Sequence, residues 1–128
     1  WLPNPYGKYF RLSEVKSKVT VVYFWDPECS HCKTVTPNLK KTYDKFKSKG
    51  LEVYGVYTQG DQPKWMDYIS KHELNWINVW DPTFSSNFRN LYDIYATPVI
   101  YVLDANKKIV IKRVSVETLE QYLEAELK

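Results

Sequence analysis

In the first half of the chain, a continuous apolar run is followed by a stretch whose apolar residues have the spacing of a helix. Residues 19–25, VTVVYFW, are β-branched or aromatic, with Thr20 among them, which is typical of a strand buried on both faces of a sheet. From residue 30 to residue 49, apolar positions recur every three or four residues, which predicts a helix. These positions are Val35, Leu39, Tyr43 and Phe46. Gly50 ends the helix, and residues 51–58, LEVYGVYT, predict the next strand.

The middle of the chain predicts two more helices and a short strand. Asp61 is suited to cap a helix that is apolar on one side. That side consists of Trp65, Met66 and Ile69. Residues 76–80, WINVW, predict a short strand, which Asp81 and Pro82 close. A short helix is then predicted around four apolar positions, which are Phe84, Phe88, Leu91 and Tyr92.

The last third has a different pattern. Residues 98–104 (PVIYVLD) and 108–114 (KIVIKRV) are two apolar runs separated by a turn, so they predict a β-hairpin. Ser115 can cap a final helix. Its apolar stripe consists of Val116, Leu119, Leu123 and Leu127. Alternation followed by a hairpin predicts one α/β domain over residues 1–128, with a mixed central sheet and helices on both faces.

Composition and charge narrow the classes of function. The chain has 128 residues, which suits one domain. Its 18 Lys and Arg against 15 Asp and Glu give a net charge of +3, too small and scattered to indicate nucleic-acid binding. No apolar run approaches the ~20 residues of a membrane-spanning helix. The chain opens WLPNPYG without an initiator Met, so we expect it to be a piece of a longer protein.

The two cysteines, Cys29 and Cys32, lie where the buried strand is followed by the long helix. Asp26-Pro27 ends the strand, so Cys29 falls near the helix cap and Cys32 in the first turn. Residues three apart on a helix are ~5–6 Å apart, which suits a disulfide. The positive helix end lowers the pKa of a thiol and favours the thiolate. We expect Cys29 to attack a substrate disulfide and Cys32 to resolve the mixed disulfide.

Neighbouring residues predict how this pair is tuned and where a substrate docks. His31, if protonated, stabilises a thiolate beside it, and Ser30 can donate a hydrogen bond to sulfur. Thr97-Pro98 precedes a strand, where proline is tolerated because it lacks the N–H. A cis bond there would hold the Thr97 backbone toward the cysteines, where a substrate peptide could pair with it as an added strand.

Three stretches of the chain resemble the thioredoxin superfamily. They are residues 21–33 (VVYFWDPECSHCK), residues 95–110 (YATPVIYVLDANKKIV) and, as a lead-in, residues 7–25. The similar branch is that of the exported bacterial TlpA/ResA-like thiol–disulfide oxidoreductases, and residues 61–80 resemble the helix and strand inserted in that branch. The resemblance covers roughly residues 7 to 123.

This resemblance implies a thioredoxin fold, a redox-active Cys29–Cys32 disulfide and a cis Pro98. It also implies an exported protein of the bacterial cell envelope or periplasm, acting on protein thiols and disulfides with electrons from an upstream redox donor. We expect reductase activity and no other cofactor. Trp25 is a further candidate for substrate docking beside Thr97 and Pro98.

Two positions depart from the pattern of the family. Thioredoxins carry a buried Asp six residues before the first cysteine, where this chain has Tyr23. ResA-like members carry a Glu three residues after the second cysteine, where this chain has Val35. Both acids serve the proton transfer of the resolving thiol, so the proton must take another route here. Water, Glu28 and a tyrosine such as Tyr23 or Tyr57 are the candidates.

Two other interpretations remain open, and a third can be set aside. A thiol peroxidase of the same superfamily usually has Thr three residues before its cysteine, where this chain has Asp26. A thioredoxin-fold binding module would use its aromatic surface and keep a silent disulfide. A structural zinc site needs four nitrogen or sulfur ligands, but His31 lies between the two cysteines and His72 is on another helix, so we expect no metal.

Overall fold

The computed structural model describes residues 2–3, 9–10, 16–26, 30–57, 61–80 and 99–127. Seven strands and three α-helices lie within these ranges. In chain order they are β1 (Leu2–Pro3), β2 (Tyr9–Phe10), β3 (Val19–Trp25), α1 (Cys32–Phe46), β4 (Leu51–Tyr57), α2 (Gln62–Lys71), β5 (Ile77–Trp80), β6 (Val99–Leu103), β7 (Ile109–Lys112) and α3 (Val116–Glu126). The predicted helix around residues 84–92 lies outside the described residues.

Five of the strands form one mixed sheet, in the order β5-β4-β3-β6-β7. Strands β3, β4 and β5 are parallel, whereas β6 runs antiparallel to both β3 and β7. The α/β prediction with a mixed sheet and a terminal hairpin is therefore confirmed. Strands β1 and β2 form a separate antiparallel pair, with Leu2 opposite Phe10.

Strand β3 is the centre of the sheet and is buried along its whole length, as its apolar run predicted. Its side chains alternate between two clusters because successive residues of a strand point to opposite faces. Val21, Tyr23 and Trp25 face the larger cluster, to which α1, α2 and α3 contribute. Val22 and Phe24 face the smaller cluster on the other side of the sheet. The larger cluster is the one that reaches the cysteine helix.

The helix ends follow the expected capping chemistry. The Asp61 carboxylate accepts the Lys64 backbone N–H at 3.2 Å at the start of α2, and the Ser115 hydroxyl accepts that of Thr118 at 3.2 Å at the start of α3. Helix α1 begins at Cys32, two residues later than predicted, and passes into a 3-10 turn over Lys47–Lys49. Gly50 ends that turn with φ of 115°, a left-handed conformation that favours glycine. None of the helices in these ranges is long and apolar enough to cross a membrane.

The buried Tyr43 of α1 and the partly buried Glu52 of β4 interact at the far end of the sheet. Burial raises the pKa of Tyr43 to about 12, and the charge of Glu52 and a hydrogen bond with it add to this effect. The pKa of Glu52 is itself raised, because burial outweighs its hydrogen bonds with the Val53 backbone and with Tyr43. The pKa values of both groups are therefore raised in the folded protein, mainly by burial.

We predict that Tyr43→Phe reduces the loss of stability at high pH. Between pH 10 and about 12 the unfolded chain has lost this proton while the native state keeps it. The contribution of Tyr43 to the free energy of unfolding is therefore fully present below pH 10. It is lost as the pH rises through the folded-state pKa, by roughly 2 kcal/mol for this group. Urea unfolding from pH 7 to 11 measures the effect. Tyr101→Phe removes a buried tyrosine hydroxyl from the other face as a control, and a pH-independent difference between Tyr43→Phe and wild type would contradict the prediction.

Candidate active site

The site is built at the junction between β3 and α1. Trp25, the last residue of β3, is fully buried, and Cys32, the first residue of α1, is 1% exposed. Ser30 and His31 are exposed just before the helix. Cys29 and Glu28 lie outside the described residues. The structure therefore places the second cysteine as the sequence predicted, at the helix start, and shows that its side chain faces the core.

Among the residues described, no acidic side chain lies at the positive end of α1. The His31 carbonyl accepts the backbone N–H of Thr34 at 3.1 Å and that of Val35 at 2.9 Å. His31 is the capping residue and makes no side-chain cap bond in the part of the chain described, and the first turn of α1 has no acidic residue. A thiolate here would gain typically 0.3–1 kcal/mol from the helix dipole.

The strand on the other side of β3 begins at the same end of the sheet. The register pairs Phe24 of β3 with Val99 of β6, so β6 starts where β3 ends. Within residues 99–103, β6 is flanked by β3 on one side and β7 on the other. A substrate strand would have to pair with the backbone before Val99, and Thr97 and Pro98, the predicted docking residues, lie outside the described residues.

The buried side of Cys32 faces hydroxyl groups and aromatic rings. Thr36 follows it one turn later on the buried face of α1, and the Tyr23 hydroxyl lies 2.7 Å from Thr36 Oγ1. Burial raises the pKa of Tyr68 of α2, a hydrogen bond with Thr36 opposes this, and the charge of Cys32 raises it further. Cys32 and Tyr23 belong to the same buried cluster.

Trp25, which was predicted to contact the substrate, lies in the core. Trp25 is fully buried, its ring is stacked with that of Tyr23 at 6.1 Å between centroids, and its centroid lies 5.3 Å from that of Tyr68. The burial indicates a packing role beneath the cysteine helix rather than the substrate contact predicted for it. Strand periodicity predicts the face on which Trp25 lies, but it does not predict how deep the last strand residue is buried.

Two of the proposed proton carriers are separated by the structure. The Tyr23 hydroxyl lies against Thr36 of α1, as just described. Tyr57 instead donates its hydroxyl to the Asp61 carbonyl at 3.1 Å and accepts the Asp61 N–H at 2.9 Å. Its ring stacks on Trp65. These contacts tie Tyr57 to the start of α2.

The sequence interpretation did not single out Thr36 or Tyr68. Thr36 is fully buried, but a threonine does not register in a search for apolar periodicity. A usable signal was its position four residues after Cys32, which puts both on one helix face. Tyr68 is half-buried and three residues after the buried Trp65, so it lies on the inward side of α2.

A hollow of about 340 Å³ borders the first turns of α1 on the side of β6. It lies between Val35 and Asn38 of α1, Ile100 of β6 and the segment from Arg113 to Glu117. Val35, where the family pattern predicted an acid, is therefore part of the wall of this hollow. Within the described ranges, no group of three or more His, Cys, Asp or Glu is placed to hold a metal ion.

In this structure a cysteine is the first residue of the helix that follows the central strand of a mixed sheet. This arrangement is typical of thioredoxin-like proteins. The model of the AhpC/TSA family matches residues 1–112. The chain belongs to the AhpC/TSA family.

Solved structures and curated relatives support this assignment. A domain of a possible thiol-disulfide isomerase from Cytophaga hutchinsonii is 37% identical, with a TM-score of 0.90 over 98% of this chain and 86% of that one. The thioredoxin domain of a thiol-disulfide oxidoreductase from Bacteroides vulgatus is 30% identical, with a TM-score of 0.89 over 99% and 91%. These neighbours confirm the predicted thioredoxin fold.

Among curated proteins, a thiol-disulfide oxidoreductase ResA of Bacillus cereus is 24% identical over 115 residues. The match covers 90% of this chain and 65% of ResA. Two further ResA proteins, from Oceanobacillus iheyensis and Bacillus subtilis, are covered to 59% and 60%, so the chain spans less than two thirds of the length of these relatives. The predicted resemblance to ResA-like thiol–disulfide oxidoreductases is confirmed.

We predict that Cys32 is protected from alkylation in the folded protein. In a Cys29→Ser variant, Cys32 is the remaining thiol, and its 1% exposure should slow its reaction with iodoacetamide at least about tenfold relative to the denatured chain. The Cys32→Ser variant, which keeps Cys29, is the matched control and should react faster in the native state. Equal rates for Cys32 in folded and denatured protein would contradict the burial described here.

Proposed function

We propose that this chain is a thiol–disulfide oxidoreductase that exchanges disulfides with protein substrates through Cys29 and Cys32. The observation that carries the proposal is the position of Cys32 as the buried first residue of α1, directly behind the central strand. We expect Cys29, three residues earlier, to lie within reach of Cys32, because residues three apart at a helix start are neighbours. The names of the ResA relatives and of the Bacteroides vulgatus domain support the same activity.

The chemistry proceeds in two exchanges in the reducing direction. The Cys29 thiolate attacks a substrate disulfide, which forms a Cys29–substrate disulfide and releases one substrate thiolate. The Cys32 thiolate then attacks Cys29 sulfur, the Cys29–substrate bond breaks, and the second substrate thiolate leaves. The substrate has gained two electrons, the protein holds a Cys29–Cys32 disulfide, and a redox donor returns it to the dithiol.

The residues next to the cysteines and the residues before β6 have the remaining roles in thiolate stabilisation and substrate binding. His31 and Ser30 are both exposed at the helix start, where a protonated imidazole and a hydroxyl favour the attacking thiolate. Substrate backbone pairs with Thr97 ahead of a cis Pro98, since β6 itself has strands on both sides over the residues described. The hollow beside Val35 and Ile100 borders the same helix and offers room for a substrate side chain.

We propose a reductase acting in the bacterial cell envelope, with a separate redox donor. The direction and the location rest on the resemblance to ResA-like proteins. A thiol peroxidase is the competing activity, because the family model that matches is AhpC/TSA. It would consume peroxide at an enzymatic rate in the reduced form, whereas the proposed reductase would transfer electrons to disulfides instead.

We predict that the reduced protein catalyses insulin reduction and that Cys29→Ala abolishes this catalysis. Loss of the attacking thiolate removes the first exchange, so turnover should fall to the uncatalysed rate of the dithiothreitol in the assay. Cys32→Ser should stop after the first exchange and accumulate mixed disulfides through Cys29. Equal turnover by wild type and Cys29→Ala would show that this pair does not catalyse disulfide exchange.

The redox and acid–base properties of the pair form a second prediction. The open helix end should hold the titration midpoint of Cys29 below the ~8.5 of an ordinary thiol, as measured by the pH dependence of its alkylation rate in Cys32→Ser. Redox titration against glutathione should give a potential more negative than about −180 mV, the value of protein disulfide isomerase. A potential near the roughly −120 mV of strong oxidants of this type would contradict the reductase direction.

A further inference from the structure

Strands β3 and β5 are followed by the same two residues. The sequence reads Trp-Asp-Pro at residues 25–27 and again at residues 80–82, and each tryptophan is the last residue of its strand. Proline has no N–H to continue the pairing of a strand, so this tripeptide indicates a strand end. Because β3, β4 and β5 are parallel, both tryptophans lie at one edge of the sheet, the edge from which the chain passes into α1.

The strand register connects the two tryptophans through Tyr57. Trp25 is opposite Tyr57 in the β3–β4 pair, and Tyr57 is opposite Trp80 in the β4–β5 pair. Trp25 and Tyr57 belong to the larger core cluster, which also contains Cys32, and Trp80 packs against that cluster. Neighbouring strands are about 4.8 Å apart, so Trp80 lies roughly 10 Å along the edge from the end of β3.

Exposure to solvent distinguishes Trp80 from the other two rings. Trp25 is 0% and Tyr57 is 2% exposed, whereas Trp80 is partly exposed. A single partly exposed tryptophan needs no functional explanation by itself. This one, however, is the accessible member of a row of aromatic rings that begins beside the cysteine helix. Trp80 is therefore the ring of this row that a substrate can contact.

The ring of Trp80 is held in place by buried neighbours. Its centroid lies 5.1 Å from that of Trp65 and 6.2 Å from that of Tyr57, on which it stacks. Trp65 also stacks on Tyr57, at 5.2 Å between centroids. The Tyr57 hydroxyl is fixed in turn, because it donates to the Asp61 carbonyl and accepts the Asp61 N–H. A ring that is already fixed loses little conformational entropy when a ligand packs on it.

The charges beside this aromatic group favour an apolar ligand over a cationic one. The Asp61 carboxylate accepts the Lys64 N–H at 3.2 Å and lies 3.9 Å from Lys64 Nζ, so its negative charge is balanced at the start of α2. An aromatic face attracts a cation most strongly where a carboxylate adds to the attraction. A face whose neighbouring carboxylate is already paired binds mainly by removing apolar area from water.

We infer that Trp80 is a specificity-determining residue whose exposed ring binds an apolar side chain of the protein substrate, about three residues from the substrate cystine. The inference deepens the proposed function and rests on it. One arm of the substrate pairs with the backbone ahead of β6, and the other extends past the end of β3 toward β4 and β5. An extended chain advances about 3.3 Å per residue, so three residues span the roughly 10 Å from β3 to Trp80.

The test uses peptide disulfides that differ at one position. Each is a disulfide dimer of a short Ser- and Gly-rich peptide with one cysteine. It carries Leu three residues before the cysteine, Leu three residues after it, or Ser at both positions. Reduced protein is mixed with excess dimer, quenched with acid and alkylated, which gives the second-order rate constant of protein oxidation. In wild type, a Leu dimer should react about tenfold faster than the Ser dimer, because its leucine is removed from water on Trp80.

Substitutions of tryptophan test whether Trp80 is the source of this preference. In Trp80→Ala the rate constants of the Leu and Ser dimers should lie within about twofold of each other. Trp80→Phe keeps a smaller ring and should retain part of the preference. Trp76→Phe is the matched control, because Trp76 is a buried member of the same cluster directly before β5. It should keep the full ratio between the Leu and Ser dimers.

Several results would overturn the inference. Equal rate constants for all three dimers in wild type would do so whether or not the variants fold. A Leu preference that persists in Trp80→Ala, or a loss there that is equal for Leu and Ser dimers, would show that the ring does not select the substrate. A dimer with Arg in place of Leu that reacts faster than the Leu dimer would overturn the apolar assignment. Wild-type protein that no dimer oxidises would instead overturn the proposed function, so the two failures are distinguishable.

Discussion

Burial of a thiol at the positive end of a helix is the constraint on which this site depends. Two effects on the ionisation of Cys32 act in opposite directions. Burial disfavours the charged thiolate, and the positive end of the first turn of α1 favours it. The first turn carries no acidic side chain whose negative charge would offset the positive end of the helix dipole.

The sheet fixes the position of that helix end. Strand β3 pairs with β4 on one side and β6 on the other, so both its direction and its register are set by neighbours. A slip of one residue would turn Tyr23 away from α1 and bring Phe24 in its place. The hydroxyl bonded to Thr36 would then be lost. The chemistry beside Cys32 thus depends on strand pairing several residues away from the cysteines.

Much of the fold could be predicted, since its signals are local. The unbroken apolar run of 19–25, the caps Asp61 and Ser115 and the hairpin ending in β7 can each be recognised from a few consecutive residues. Thr36 and Tyr68 could not be predicted in the same way, because their importance arises from packing between α1 and α2. The depth of Trp25 was missed for the same reason, as a strand end can lie in the core or at the surface.

This chain has Tyr23 and Val35 where the resemblance predicts two acids. A carboxylate beside a buried thiol can take a proton, but it adds a negative charge that opposes the thiolate. A tyrosine hydroxyl adds no charge, and near neutral pH it remains a donor because its ordinary pKa is about 10. Tyr23, which lies 2.7 Å from Thr36 on the buried face of α1, therefore gives this core a neutral hydroxyl where the resemblance predicts a carboxylate.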